Sequence, residues 1–325
     1  MAPKFLITGA TSGLGASVLA TLYKTVSNPA DIIAASSRTE AAAKLQQDYP
    51  GTEFRVFDYD DAQALVKALE GVDRLFFVST PVVGVDRRAR QHLNVIEAAK
   101  QAQVGHVYYS SLAFGGYGSD SKAVVQISHL MTEEKLKSAG IPYTSIREGI
   151  YADAFPVFAA WYPDTTTIYL PGTADGAIAW TSRAELGEAN ALLMLRDPST
   201  LHFKDNIALL TGPAAYSFDD LVATLSTATG AQVRLERIPR TQYARTVAAE
   251  DARVGHGGKS EGFFEVWASL LDAVGQGEAA VVDPLMAEVL GRRPRDGMEV
   301  IAQLVSEGRE KGGYTWHQNY DAARQ

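Results

Sequence analysis

Lys4-Phe5-Leu6-Ile7-Thr8-Gly9-Ala10-Thr11-Ser12-Gly13-Leu14-Gly15 places an apolar run, a glycine-rich turn and the start of an amphipathic helix in immediate succession. A buried strand feeding such a turn and helix is how chains hold the diphosphate of a dinucleotide, with the helix N-terminus facing the negative charge. Each glycine has its own expected job. Gly9 turns the chain sharply off the strand, Gly13 brings backbone close to the diphosphate, and Gly15 lets the helix pack on the sheet. Thr11, Ser12 and Leu14 complete the expected cofactor-binding loop. Context favours this over an ordinary strand-to-helix turn, because the motif follows the first strand and Leu14, Val18, Leu19 and Leu22 recur at helical spacing.

The second strand, Asp31-Ile32-Ile33-Ala34-Ala35-Ser36, selects among dinucleotides. A site for NAD carries an acidic residue near the end of this strand, roughly 20 residues past the glycines, to bond the ribose hydroxyls. Here that place holds Ser36-Ser37-Arg38-Thr39, and Asp31 sits at the opposite end. A guanidinium at Arg38 matches a 2′-phosphate in fork geometry, with Ser37 adding a hydroxyl. NADP(H) is the expected cofactor.

Of 325 residues, 46% are hydrophobic, enough for a large core. Lys plus Arg is 30 against 38 Asp plus Glu, a net charge of −8, so a nucleic-acid backbone would be repelled and a small-molecule partner is expected instead. With no cysteine, thiol catalysis and disulfides are excluded, and the six scattered histidines suggest no metal site. The start of the chain runs straight into a strand and no apolar run approaches membrane-spanning length, so a cytoplasmic protein is expected, with no membrane partner. The oligomeric state is left open.

Short β-rich runs then alternate with helical patterns: Thr52 to Phe57, helix Asp61 to Glu70, Arg74 to Val78, a helix from Val85, His106 to Ser110, a long helix ending near Ala139, and Pro142 to Ile146. This is the punctuation of an α/β protein, a doubly wound parallel Rossmann sheet with helices on both faces. Six strands are expected within residues 1–150, the nucleotide-binding domain. Alternation breaks after Arg147, and residues 151–325 are expected to form a smaller C-terminal substrate lobe, with segments returning to complete the sheet. Gly255-His256-Gly257-Gly258-Lys259-Ser260 lacks phosphate-loop spacing and reads as a hinge or lid.

Further motifs run nearly the whole chain: Ile7-Thr8-Gly9-Ala10-Thr11, Asp58-Tyr59, Gln91-His92-x-Asn94-Val95-Ile96, His129-Leu130-x-Thr132-Glu133, Ile141-Pro142-Tyr143-Thr144 and Arg147-x-Gly149-x-Tyr151. In these the chain resembles the NmrA-like group of atypical short-chain dehydrogenases, and within it the NADPH quinone oxidoreductases and triphenylmethane reductases. The resemblance implies a Rossmann domain with a small lobe, bound NADP(H) with Asp58 and Tyr59 among the cofactor-binding residues, and one of two roles. One is reduction of a quinone or related conjugated polycyclic aromatic carbonyl, in secondary metabolism; the other is non-catalytic NADP(H) sensing. Two positions depart from the group: Ser12 stands where glycine is usual, and Glu148 where these reductases commonly have asparagine.

A Tyr-x3-Lys pair, in which lysine tunes a tyrosine to donate a proton, is absent; Tyr117 and Lys122 are five apart and fall off a common helical face. His129, near where the resemblance places the cleft, is the candidate proton donor, with a packing role as the alternative. Ser110 and Ser111 end the fifth strand and are candidates for bonding nicotinamide or substrate. Ser79 and Thr80, ending the fourth, are expected to line the cofactor ribose. Tyr151, Phe155, Phe158, Trp161 and Tyr162 either stack on a flat substrate or form core, and Glu148 is expected to bring charge to the pocket.

Overall fold

The computed structural model describes residues 2–82, 85–254 and 259–310. Its first half runs β1 (Phe5–Ile7), α1 (Gly13–Thr25), β2 (Ile32–Ser36), α2 (Ala41–Asp48), β3 (Glu53–Val56), α3 (Ala62–Ala68), β4 (Arg74–Phe77), α4 (Val85–Gln101), β5 (His106–Leu112), α5 (Val124–Ala139) and β6 (Tyr143–Glu148). There follow α6 (Phe155–Ala159), β7 (Thr167–Pro171), β8 (Ala177–Ile178), α7 (Arg183–Leu195), β9 (Ile207–Leu210) and β10 (Tyr216–Ser217). The chain ends in α8 (Phe218–Thr229), β11 (Arg234–Ile238), α9 (Arg240–Val254), α10 (Glu261–Gly275), α11 (Leu285–Leu290) and α12 (Gly297–Glu310).

Seven strands form one parallel sheet in the order β3-β2-β1-β4-β5-β6-β9. Strands buried on both faces need continuous apolar runs, and β1 and β2 are buried at every residue. Successive side chains point to opposite faces: Phe5 and Ile7 join the core beneath α1, α2, α7 and α11, whereas Leu6 joins the core beneath α3, α4 and α5. The winding reverses between β1 and β4, so the ligand crevice lies beyond the carboxyl ends of these strands.

β9 is the seventh strand, reached only after the chain has left the sheet, and α7 packs back on α1 so closely that a methyl on Gly187 would strike Ser17. The remaining C-terminal elements surround a separate aromatic core, in which Phe263 and Trp267 stack with centroids 5.4 Å apart and Phe158 meets Trp180 edge-on at 5.6 Å. Helix α9 had no counterpart in the sequence reading. Of the glycine-rich stretch Gly255 to Ser260, expected to be a hinge or lid, residues 255–258 lie outside the described residues. Lys259 is buried, its ammonium 3.1 Å from the Tyr162 hydroxyl and 3.5 Å from an Asp251 carboxylate oxygen. Among the described residues, no helix is long and apolar enough to cross a membrane.

Candidate active site at the carboxyl edge of the sheet

The loop between β1 and α1 has the shape of a phosphate cradle. Gly9 adopts φ +63°, a left-handed conformation that turns the chain off the strand. Gly15 lies against the strand end, and a methyl there would collide with the carbonyls of Thr8 and Gly9. Ser12 is extended at the helix N-cap and makes no side-chain capping bond, while Leu14 anchors the first turn in the core. The N–H groups of Gly13, Leu14 and Gly15 are thus presented together at the positive end of α1. Over this loop stands Arg183, the first residue of α7, whose Nη1 would be 3.4 Å from a Cβ at Gly13.

At the end of β2, Arg38 reaches back to that loop, its Nη2 donating to Thr11 Oγ1 at 2.5 Å, and its backbone N–H donates to Ser36 Oγ at 3.1 Å. Ser37 and Arg38 are both exposed, and Arg38 lines a cavity of about 430 Å³ together with Ala10, Thr11, Glu40, Lys44 and Asp48. The donors fit an adenosine bearing a 2′-phosphate: a fork-shaped cation, adjacent hydroxyls and an open cavity.

The remaining strand ends are a hydrogen-bonded lattice. Tyr59 braces β1 to β4, its hydroxyl donating to Val78 O at 2.6 Å and accepting from Thr8 Oγ1 at 2.8 Å, while Thr8 accepts from Val78 N. Asp58 is exposed and holds its own turn through Asp60 N. Through these bonds Tyr59 braces the strand ends, with Asp58 exposed beside it. Ser79 N donates to Ser110 Oγ at 2.9 Å, and Thr80 N donates to His92 Nε2 at 3.1 Å. A backbone N–H can only donate, so His92 carries its proton on Nδ1, where it donates to Thr132 Oγ1 at 2.7 Å. Burial and the nearby Arg88 charge push its pKa down to about 3.

His129 does not stand free in the cleft. Its Nε2 accepts from Arg88 Nη2 at 2.7 Å, and its Nδ1 proton therefore goes to the Tyr109 hydroxyl at 2.9 Å. Burial, and then the Arg88 charge, hold it well below the usual imidazole range. Both ring nitrogens are thus engaged by protein groups, the arrangement that the packing alternative expects. Ser111 is likewise committed, donating to Glu133 Oε1 at 2.7 Å. Ser110 accepts one bond, and no described residue takes its own proton.

On the substrate side the expected set separates. Tyr151 is half-buried, with the Arg183 guanidinium 5.9 Å from its ring centre, and Arg183 pairs with Asp153. Phe155 is fully buried beside Trp161 at 5.4 Å, and Phe158, Trp161 and Tyr162 are buried too, so this aromatic run is core and not a stacking wall. Glu148 is also removed from the pocket. It is 1% exposed and lies under α7, where Asn190 donates to its Oε1 at 2.8 Å and its Oε2 has no partner. Burial holds its carboxyl well above the usual range, so it brings no charge to the site. Tyr117 is exposed and donates to Asp283 at 3.0 Å, which leaves it unpaired with Lys122.

With this geometry in place, the comparisons with known proteins are direct. The NmrA-like family model matches residues 1–259. The chain belongs to the NmrA-like family. It is 41% identical to the NmrA-like family domain-containing oxidoreductase flvB of Aspergillus flavus, over 98% of this chain and 99% of that protein. Among solved structures, the NADPH-dependent quinone oxidoreductase QOR2 of Escherichia coli in complex with NADPH is 29% identical with a TM-score of 0.80. The triphenylmethane reductase of Citrobacter sp. in complex with NADP(H) is 28% identical with a TM-score of 0.77. In both cases 92% of this chain and 99% of the other are covered.

Three arginines of this NmrA-like chain escaped the sequence reading. Arg183 arrives at the glycine-rich loop from 168 residues beyond Gly15, and Arg88 reaches the strand ends from α4. Arg147, fully buried, forks onto Glu133 at 2.7 and 3.0 Å and donates from Nη1 to the carbonyls of Gly116 and Gly118, both at 2.6 Å. Ser145 and Ser111 complete the carboxylate's bonds. Arg147 and Glu133 lay inside motifs already singled out, but their pairing across 14 residues has no local signal.

Proposed function

We propose that this chain passes hydride from NADPH to a quinone or a related conjugated polycyclic aromatic carbonyl. At the coarser level it is an NAD(P)H-dependent oxidoreductase, the class its named relatives carry. One observation supports the choice of NADPH above others: Arg38 Nη2 meets Thr11 Oγ1, joining the end of β2 to the diphosphate loop where an adenosine 2′-phosphate would fall. Thr11, Ser37 and Arg38 would hold that phosphate. The first turn of α1 from Gly13, with Arg183 above it, would hold the diphosphate. Ser79, Thr80 and Ser110 would line the nicotinamide end. When bound, NADPH supplies the hydride.

Among the described residues no tyrosine–lysine acid is assembled, and the histidines of the strand-end lattice have their nitrogens engaged, so we assign the proton that completes reduction to water. Electrophilic quinones suit such a site, because holding donor and acceptor in line contributes up to about 7–11 kcal/mol without an acid. Tyr151, the one half-buried ring of the expected aromatic set, offers a face for the acceptor beside Arg183.

The test is NADPH oxidation against benzoquinones, naphthoquinones, hydroxyanthraquinones and triphenylmethane dyes, with NADH in parallel. Turnover of a quinone, faster with NADPH, is expected. Tight NADPH binding with no turnover across the panel would replace this reading with a cofactor-sensing role.

A further inference from the structure

We propose that Arg88 receives the negative charge that develops on the acceptor oxygen, and that it thereby restricts the site to neutral or anionic oxygen-bearing acceptors and rejects cationic dyes. The inference rests on the reductase reading above and names the acceptor class within it.

Arg88 is 7% exposed and forms no ion pair with a carboxylate among the described residues. Its Nη2 is held by two acceptors, Ser79 Oγ at 2.6 Å and His129 Nε2 at 2.7 Å, which fix the plane of the guanidinium. Its Nε is buried without a partner. A cation that deep in a protein is costly unless something anionic or strongly polar meets it. Both anionic parts of the cofactor would have other partners: the 2′-phosphate would be held by Arg38 at the end of β2, and the diphosphate by the loop after β1. Arg88 touches Ser79, at the carboxyl end of β4, on the nicotinamide side of the winding reversal. What remains there to carry charge is the acceptor.

The chemistry requires such a group. Hydride addition gives a quinone two electrons and one hydrogen nucleus, leaving a hydroquinone monoanion with its charge on oxygen. NADPH becomes NADP⁺, and a proton from water completes the hydroquinone. A fixed donor beside that oxygen stabilises the charge as it forms. A triarylmethyl cation gains hydride at carbon and becomes neutral, so it brings a positive charge towards Arg88 and gives it nothing to stabilise. The neutral His129 then has a defined role as a positioning residue. It accepts from Arg88 without adding a second positive charge.

The experiment compares the full-length chain with Arg88→Met and Arg88→Lys. The readouts are kcat and KM for a neutral naphthoquinone and for a cationic triphenylmethane dye, the Kd for NADPH, the Kd for a naphthoquinone sulfonate by tryptophan quenching with NADP⁺ bound, and Tm. The unaltered chain should prefer the quinone. Arg88→Met should lower kcat/KM for the quinone by about 10²–10³-fold, weaken sulfonate binding, leave NADPH affinity unchanged and leave dye turnover equal or higher. Arg88→Lys should recover part of the quinone rate. Parallel loss with both acceptors, a matching loss of NADPH affinity, or an unaltered quinone rate would overturn the proposal. If the unaltered chain reduces nothing, the reductase reading fails. Sulfonate binding that ignores Arg88 would then overturn the anion site as well, and Arg88-dependent binding would sustain it.

Discussion

Replacing Arg38 by alanine should convert an NADPH-selective site into one with little preference. The side chain is exposed, and among the described residues its one side-chain bond is the 2.5 Å contact to Thr11 Oγ1, so truncation leaves a water-accessible hydroxyl and no buried orphan. The fold should therefore be indifferent and the change confined to binding. Charge-assisted hydrogen bonds contribute about 1.5–3 kcal/mol each, but an exposed guanidinium is screened by solvent and salt. A net loss of about 1.5–3 kcal/mol for the whole fork is the reasonable expectation, or roughly 10–150-fold in Kd. NADH lacks the phosphate and should bind as before. Titrating both nucleotides against each protein by fluorescence or calorimetry gives the two ratios. Raising ionic strength should weaken NADPH in the unaltered chain and have much less effect in the variant. An equal loss for NADPH and NADH would mean that Arg38 shapes the loop through Thr11, and an unchanged preference would place the 2′-phosphate elsewhere.

Gly15→Ala should lower stability by about 1–3 kcal/mol, because the new methyl meets backbone carbonyls that cannot rotate away, and should weaken NADPH binding; Tm and Kd measured together check both. Arg147→Met leaves Glu133 with a buried, unpaired charge and frees the carbonyls of Gly116 and Gly118, so a loss of about 3–5 kcal/mol is expected in urea denaturation, partly recovered in the double variant with Glu133→Gln. Glu148→Gln should stabilise the protein increasingly as pH rises. The folded chain holds this carboxyl protonated while the unfolded chain ionises it normally, so the stability it lends below the unfolded pKa is lost above it by up to about 1.4 kcal/mol per pH unit. Tm profiles of the two proteins that stay parallel from about pH 5 to pH 8 would show Glu148 to be ionised in the fold.

The sheet was legible because its information is local. Parallel strands buried on both faces are largely apolar, and β1 and β2 announce themselves within a few residues. Gly9 and Gly15 were equally legible, since their roles are set by the backbone of one turn. Helix α9 was not, because its face is interrupted by charge and it packs on α10 rather than on the sheet. At the site, residue types were visible and directions were not. Glu148 and Arg147 are neighbours on β6, and the two-residue alternation sends one under α7 and the other to Glu133 on α5. His129 looked like an acid for the same reason: a sequence shows the imidazole but not that Arg88 and Tyr109 already occupy its nitrogens.

The late return of β9 to the sheet bears on how this protein can be re-engineered. Because α7, β9 and α11 complete the nucleotide-binding half after the chain has begun the lobe, a fragment cut at residue 150 would bare one side of α1 and the open edge of β6. Acceptor preference therefore cannot be transplanted as a C-terminal cassette. A chimera would have to exchange the stretches 151–182, 211–284 and 297–310 while keeping the intervening sheet-bound segments from the host. The same interleaving makes the two halves a single unit of inheritance, whose new specificities should arise by substitution in place, at Arg88 on α4 as well as within the lobe, more readily than by shuffling segments.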